Sequence, residues 1–85
     1  MYKNKAENGR NNLCGQKVKY FRKNRPEKTS QRKLAELLQL RGLDLDKNAV
    51  QRIESGQRFV TDIELKAIAA VLGVSYQALL DDDTP

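Results

Sequence analysis

The chain has 85 residues, 39% of them hydrophobic, and this length and composition predict one small domain with a mostly aliphatic core. It contains no histidine and a single cysteine, which exclude a disulfide framework, a structural zinc site and catalysis that uses histidine as the base. With 16 Lys and Arg against 11 Asp and Glu, the chain carries a net charge of +5.

This charge is distributed unevenly. Residues 1–33 carry 11 Lys or Arg against two acidic residues, whereas residues 61–85 carry one Lys against five Asp or Glu. Such an asymmetry turns the basic half of a molecule toward a polyanion. We expect that polyanion to be nucleic acid rather than a membrane surface, because the basic segment has no wide apolar face that inserts into lipid.

The first elements are predicted from the N-terminus onward. Residues 1–11 are polar and charged, and we expect a mobile basic arm that either follows a phosphate backbone or stays untethered, with Lys3, Lys5 and Arg10 as its cations. The first helix is predicted from about Asn12, a capping residue, to Asn24, and Pro26 ends it. Its apolar residues recur at helical spacing and form the predicted buried stripe: Leu13, Cys14, Val18 and Phe21. We interpret Cys14 as a core residue rather than a nucleophile, because the chain has no histidine to activate it.

The second helix is predicted from Thr29 or Ser30, either of which caps it, to Leu40. Its inward residues are predicted to be Leu34, Ala35, Leu37 and Leu38. Gln31 stands in the first turn, where its side chain and the free backbone amides can meet a phosphate at the positive end of the helix dipole. Gly42 suits the left-handed conformation that ends a helix.

The third helix is predicted over residues 47–54, with the carboxylate of Asp46 as its cap. At about 100° per residue, one arc holds Ala49, Val50 and Ile53. The opposite arc holds two cations and two amides: Lys47, Asn48, Gln51 and Arg52. Arg and Lys pair with guanine in a major groove, and Asn and Gln pair with adenine, so we predict that these four side chains contact DNA bases. Taken alone, the pattern fits a solvated amphipathic helix equally well.

The fourth helix is predicted from Thr61 or Asp62 to Leu72, and Ser75 caps a short fifth helix before a frayed acidic tail over residues 81–85. No segment alternates as a β-strand does. The predicted fold is therefore all-α: a compact five-helix bundle over residues 12–80 with a mobile N-terminal arm. Tyr76 and Leu80 are predicted to form a dimer surface or to join the core.

A series of positions has the order and register of one known family: Gln31, Leu34, Ala35, Val50, Ile53, Glu54 and Gly56, then Leu72, Gly73, Val74, Leu79 and Leu80. At these positions, the segment 13–80 resembles the helix-turn-helix family of the phage Cro and cI repressors and their bacterial relatives. The segment between Ala35 and Val50 is longer than in that family, so either the second helix is extended or the turn bulges. The orientation of the third helix depends on which of the two occurs.

The resemblance implies that the third helix reads the major groove. It implies phosphate contacts around the start of the second helix and after the third: Ser30, Gln31, Arg32, Ser55, Gln57 and Arg58. It also implies a buried ion pair between Arg22 and Glu54, which would hold the first helix against the third.

These features predict a transcriptional regulator, repressor-like, that binds specific double-stranded DNA sequences as a homodimer on an inverted repeat. The alternative is an antitoxin-like or antirepressor-like module that uses the same fold to bind protein, and a protein partner can also control a DNA-binding form. We predict no enzymatic activity, because no acid, base and nucleophile share one pocket. We expect no cofactor, metal, membrane or small-molecule substrate, and a cytoplasmic location at the nucleoid when bound, since no apolar run or secretion signal is present.

Overall fold

The computed structural model describes residues 9–81. Five α-helices follow one another there: α1 (Gly15–Lys23), α2 (Gln31–Gln39), α3 (Lys47–Ser55), α4 (Asp62–Leu72) and α5 (Tyr76–Leu80). Residues 9–81 contain no strand, and the predicted all-α fold with five helices is confirmed. Lys3, Lys5 and most of the predicted arm lie outside the described residues, as do residues 82–85 of the predicted acidic tail.

Side-chain oxygens cap every helix from α2 to α5. The capping residues accept a hydrogen bond from the amide three positions later, and they are Ser30, Asp46, Thr61 and Ser75. At the start of α4, the Glu64 carboxylate also accepts from the Thr61 amide at 3.0 Å, which completes a capping box. Each such cap stabilises a helix by about 1 kcal/mol, and these starts agree with the predicted ones.

The first helix begins later than predicted. α1 starts at Gly15, after Cys14, which occupies the capping position without a side-chain hydrogen bond. The Asn12 side chain nevertheless accepts from the Gly15 amide at 2.8 Å. Because Leu13 precedes the helix, it does not continue the helical stripe and is 57% exposed, so its predicted burial is wrong.

All five helices contribute to one aliphatic core. Its fully buried hydrophobic residues are Cys14, Val18, Leu34, Ala35, Leu38, Leu45, Val50, Ile53, Ile68, Ala69 and Leu79. α3 packs against α1 and α2, and α4 packs against α1, α2 and α5. Because burial of one such large side chain stabilises by roughly 1.5–3 kcal/mol, the inner side of α3 is firmly held.

The extra residues between α2 and α3 form a loop and do not extend α2. Gly42 adopts a left-handed φ of 89° just after the helix. The Gln39 side-chain amide donates to the Leu45 carbonyl at 2.9 Å, and Leu45 is buried in the core. The loop is therefore exposed at residues 40–42 and 44, while Leu43 packs against the core and α2 and α3 stay packed together.

Candidate nucleic-acid interface

α3 turns one side to the core and the other to solvent. Val50 and Ile53 are buried, whereas the four predicted base-contacting residues are all exposed: Lys47, Asn48, Gln51 and Arg52. The Asp46 carboxylate accepts from the Ala49 amide at 2.8 Å and fixes the first turn. The exposed side chains therefore project from a helix that is held at its start and along its inner side.

A shallow polar depression of about 190 Å³ lies on this outer side. It is lined by Asn48, Gln51, Arg52, Ser55 and Gln57. The first four are spaced as one line along an α-helix, and we call them the α3 stripe. The structure thus brings three predicted base contacts together with two predicted phosphate contacts, Ser55 and Gln57. Lys47 is exposed at the first position of α3, outside the depression.

Behind the stripe, Glu54 is bound from two other helices. Its carboxylate accepts from Arg22 Nε at 2.7 Å and from Arg22 Nη2 at 3.0 Å, and both side chains are buried. Arg22 Nη1 also donates to the Thr29 carbonyl at 3.0 Å. Gln31 Nε2 donates to Glu54 at 3.0 Å. These charge-assisted bonds join α1, the start of α2 and the last turn of α3.

The contact between Gln31 and Glu54 places the first turn of α2 beside the last turn of α3. Ser30 and Arg32 are exposed there, next to the unpaired amides of a helix N-terminus. Gln31 uses one of its two side-chain N–H groups on Glu54 and retains the second for another acceptor. This end of α2 therefore offers donors to an anion that lies against α3.

The remaining predicted phosphate contacts lie at the last residue of α3 and just after it. Ser55 and Gln57 are exposed, and the Ser55 hydroxyl donates to the Arg52 carbonyl at 3.2 Å. Arg58 is placed differently, because its Nη1 donates to both carboxylate oxygens of Glu64 at 3.2 Å. The Arg58 side chain is therefore held toward α4 and does not line the polar depression.

Three residues that precede α1 donate hydrogen bonds to the end of α3 and the residues after it, namely Arg10, Asn11 and Asn12. No motif in the sequence marks these contacts. Arg10 Nη2 donates to the Glu54 carbonyl at 2.7 Å. Asn12 Nδ2 donates to the carbonyls of Ile53 at 3.1 Å and Arg58 at 2.7 Å. The partners lie 41 to 46 residues away along the chain, beyond the reach of any local pattern.

Large apolar side chains are exposed on a second surface, which we call the apolar face. It consists of Leu13, Phe59, Ile63, Tyr76 and Leu80. Two depressions of about 510 and 220 Å³ lie on it and share Leu65 and Leu80 in their linings. The predicted dimer residues Tyr76 and Leu80 both belong to this face, whereas Leu79 is fully buried in the core.

Groups for other chemistry are sparse in the described part of the chain. Cys14 is 2% exposed, and burial raises the pKa of its thiol to about 11, so that the thiol stays protonated and unreactive near neutral pH. Residues 9–81 hold no group of His, Cys, Asp and Glu that could bind a metal ion. None of the five described helices has the length and hydrophobicity to cross a bilayer.

Comparison with known protein families identifies a match over most of the chain. The family described as helix-turn-helix matches residues 18–79, which contain the whole of α2, α3 and α4. No curated protein and no solved structure matches the chain. The matched segment includes the α3 stripe and the first turn of α2, but it leaves out Arg10, Asn11 and Asn12.

Proposed function

Because the chain belongs to the helix-turn-helix family of Cro- and cI-type DNA-binding proteins, we propose that it reads specific double-stranded DNA sequences as a repressor-like regulator of transcription. The family is one of DNA-binding, non-enzymatic domains. The observation that carries the proposal is the polar depression on α3, where the three predicted base contacts of the α3 stripe lie beside two donors for phosphate, Ser55 and Gln57.

In this proposal α3 enters the major groove and its outer side chains pair with base edges. Arg52 and Lys47 suit guanine, where they donate to O6 and N7. Asn48 and Gln51 suit adenine, with which an amide forms two hydrogen bonds. Each good pair discriminates against a wrong base by about 1–3 kcal/mol, so a few such contacts suffice for a specific half-site.

Phosphate contacts on either side of the groove set the register of α3. The first turn of α2 supplies Ser30, Gln31 and Arg32, and the end of α3 supplies Ser55 and Gln57. Arg58 joins this set only when a phosphate replaces Glu64 as its partner. Such contacts carry affinity but no sequence information, and they make binding sensitive to salt.

We further propose that the protein binds DNA as a two-fold dimer through the apolar face. A single domain of this size buries little DNA surface, and a dimer doubles both kinds of contact. Asp62 and Lys66 line the larger apolar depression beside Ile63 and Tyr76. In a two-fold interface the same surface patch of each subunit is in contact, so Asp62 of one subunit can pair with Lys66 of the other.

The apolar face also favours a second candidate function, namely an antitoxin-like or antirepressor-like module that binds another protein. This candidate needs the apolar face but has no use for the α3 stripe. The two candidates therefore differ in which surface a substitution must reach to abolish activity.

The test neutralises two cations of α3 in the variant Lys47→Gln/Arg52→Gln, with Lys19→Gln, an exposed cation of α1 outside both proposed surfaces, as the matched control. Binding to the duplex that the protein selects from a random pool is measured by fluorescence anisotropy. We expect affinity to fall at least about 30-fold in the double variant, since two base contacts are lost, and to change little in the control. Unchanged DNA affinity in the double variant would show that α3 is not the reader.

A further inference from the structure

The end of α3 needs hydrogen-bond donors from elsewhere. The last carbonyl groups of any helix have no partner within it. Here the amides of Gly56, Gln57 and Arg58 donate to the carbonyl groups of Arg52 and Ile53, which gives two of these groups a partner. Several carbonyl groups of this turn instead receive donors from Arg10, Asn11 and Asn12, which we call the clasp.

Each residue of the clasp makes a separate contribution. Arg10 Nη2 donates to the Glu54 carbonyl at 2.7 Å. Asn11 donates from its backbone amide to the Gly56 carbonyl at 2.8 Å and from Nδ2 to the Gln57 carbonyl at 2.9 Å. Asn12 joins α1 to α3, because it accepts from the α1 amide of Gly15 and donates to Ile53 and Arg58 carbonyls.

Two glycines leave the space that the Arg10 side chain occupies. A Cβ atom at Gly56 would lie 2.7 Å from the guanidinium carbon of Arg10, whereas one at Gly15 would collide first with the Ile53 carbonyl oxygen and would also lie 2.7 Å from Arg10 Nη2. Such approaches are too close for any real Cβ atom. A cation at the C-terminal end of a helix also interacts favourably with its dipole. The slot for Arg10 is therefore built from α1 and α3 together.

The clasp bears directly on the surface proposed to bind DNA. Asn11 donates to the carbonyl groups of Gly56 and Gln57 and thereby fixes the orientation of these two peptide groups. The Gln57 side chain lines the polar depression with the α3 stripe. We propose that the clasp positions Gln57 and the last turn of α3 against the DNA backbone, so that residues outside the matched family segment set DNA affinity. The inference rests on the proposed function, since it concerns how that surface is held.

If the clasp positions Gln57, substitution of a clasp residue should weaken DNA binding in a specific pattern. Asn11→Ala removes one donor to Gln57 and keeps the backbone bond to Gly56 and every charge of the protein. Because the affected contact is with phosphate, affinity should fall by the same factor on every duplex, and base preference should not change.

The experiment is a double-mutant cycle between Asn11→Ala and Gln57→Ala, measured on the selected duplex and on a mixed-sequence duplex. The matched control is Asn24→Ala, since the side chain of Asn24 likewise donates to a backbone carbonyl, that of Tyr20, at 2.7 Å. We expect Asn11→Ala to weaken binding about three- to tenfold on both duplexes, as loss of one hydrogen bond implies, and to have no further effect once Gln57 is Ala. We expect Asn24→Ala to change affinity less than about twofold.

Two results would overturn the inference: an Asn11→Ala affinity equal to that of Asn24→Ala, or losses from Asn11→Ala and Gln57→Ala that simply add. Thermal unfolding of each variant shows whether a loss of DNA affinity reflects global destabilisation. A loss of that kind would persist in the Gln57→Ala background, whereas a loss that acts through Gln57 would not. Lys47→Gln/Arg52→Gln is measured alongside. If that variant loses DNA binding while the clasp variants keep it, the clasp inference fails alone; if it keeps full affinity, the proposed function fails as well.

Discussion

At the scale of single residues, the Arg22 and Glu54 pair shows how a charge is retained in an apolar bundle. Both side chains are buried, and each forms hydrogen bonds beyond the pair, to the Thr29 carbonyl and from the Gln31 amide. Such a pair is costly to break on one side, because the remaining charge stays buried without its partner. Each of the two residues is therefore needed to compensate the buried charge of the other.

We predict that Glu54→Leu destabilises the protein by about 3–5 kcal/mol, since it leaves the Arg22 guanidinium buried and unpaired. The double variant Arg22→Met/Glu54→Leu should be more stable than Glu54→Leu alone, because no charge is then stranded. Urea unfolding of the parent protein, the two single variants Arg22→Met and Glu54→Leu, and the double variant measures this coupling. Additive losses would contradict the account of the pair.

Cys14 provides a pH-dependent prediction. Burial raises the pKa of its thiol from 9.0 to about 11, so folding favours the protonated form. The resulting stability is fully present below pH 9 and is lost as the pH rises through 11. We expect the difference in free energy of unfolding between the protein and Cys14→Ala to shrink across this range. Parallel pH curves for the two proteins would show that burial does not shift the thiol.

At the scale of elements, α3 is fixed at both ends by different means. The Asp46 carboxylate caps its start, and Gly56 ends it with a left-handed φ of 85°. Gly73 ends α4 in the same conformation, with a φ of 69°, but has open space around its Cα atom. The two glycines thus separate the cost of backbone strain from the cost of displacing Arg10.

Both Gly56→Ala and Gly73→Ala should destabilise the protein, by roughly 1–2 kcal/mol for the left-handed conformation alone. We predict a clearly larger loss for Gly56→Ala, because its methyl group also expels Arg10 from its slot. Thermal unfolding of the two variants in parallel measures the difference. Equal losses would mean that the clasp adds nothing to stability.

Local signals account for most of what the sequence predicts about these elements. The caps at Ser30, Asp46, Thr61 and Ser75 lie three residues from their partners, so pattern and structure agree. α1 begins later than the sequence predicts, because Asn12 bonds to the end of α3 as well as to Gly15. Long-range partners of this kind, such as the carbonyl groups held by the clasp, leave no periodic trace in the sequence.

At the scale of the whole molecule, two surfaces divide the work in the proposed function. The α3 stripe and the first turn of α2 carry donors and cations, while the apolar face carries exposed hydrophobic side chains on α4, α5 and the adjoining segments. Charge along the chain follows the same division, with basic residues toward the N-terminus and acidic residues toward the C-terminus. A dimer formed through the apolar face would leave both α3 helices exposed to DNA.

We predict that Ile63→Ser shifts the protein from dimer to monomer and weakens binding to an inverted repeat, because Ile63 is 69% exposed and lines an apolar depression. Leu40→Ser is the matched control, since Leu40 is 83% exposed but lies on the loop after α2, outside the apolar face. Sedimentation equilibrium gives the oligomeric state of each. A monomeric parent protein, or a dimer that survives Ile63→Ser, would refute this arrangement.

The central claim, that α3 reads specific duplex DNA, is tested most directly by selection from a pool of random duplexes. The purified protein is used at about 150 mM salt, which suppresses binding to phosphate alone. We expect enrichment of an inverted repeat whose half-sites contain guanine and adenine at the positions that face Arg52, Lys47, Asn48 and Gln51. Recovery of duplexes with no shared sequence would contradict the claim and would favour the protein-binding module.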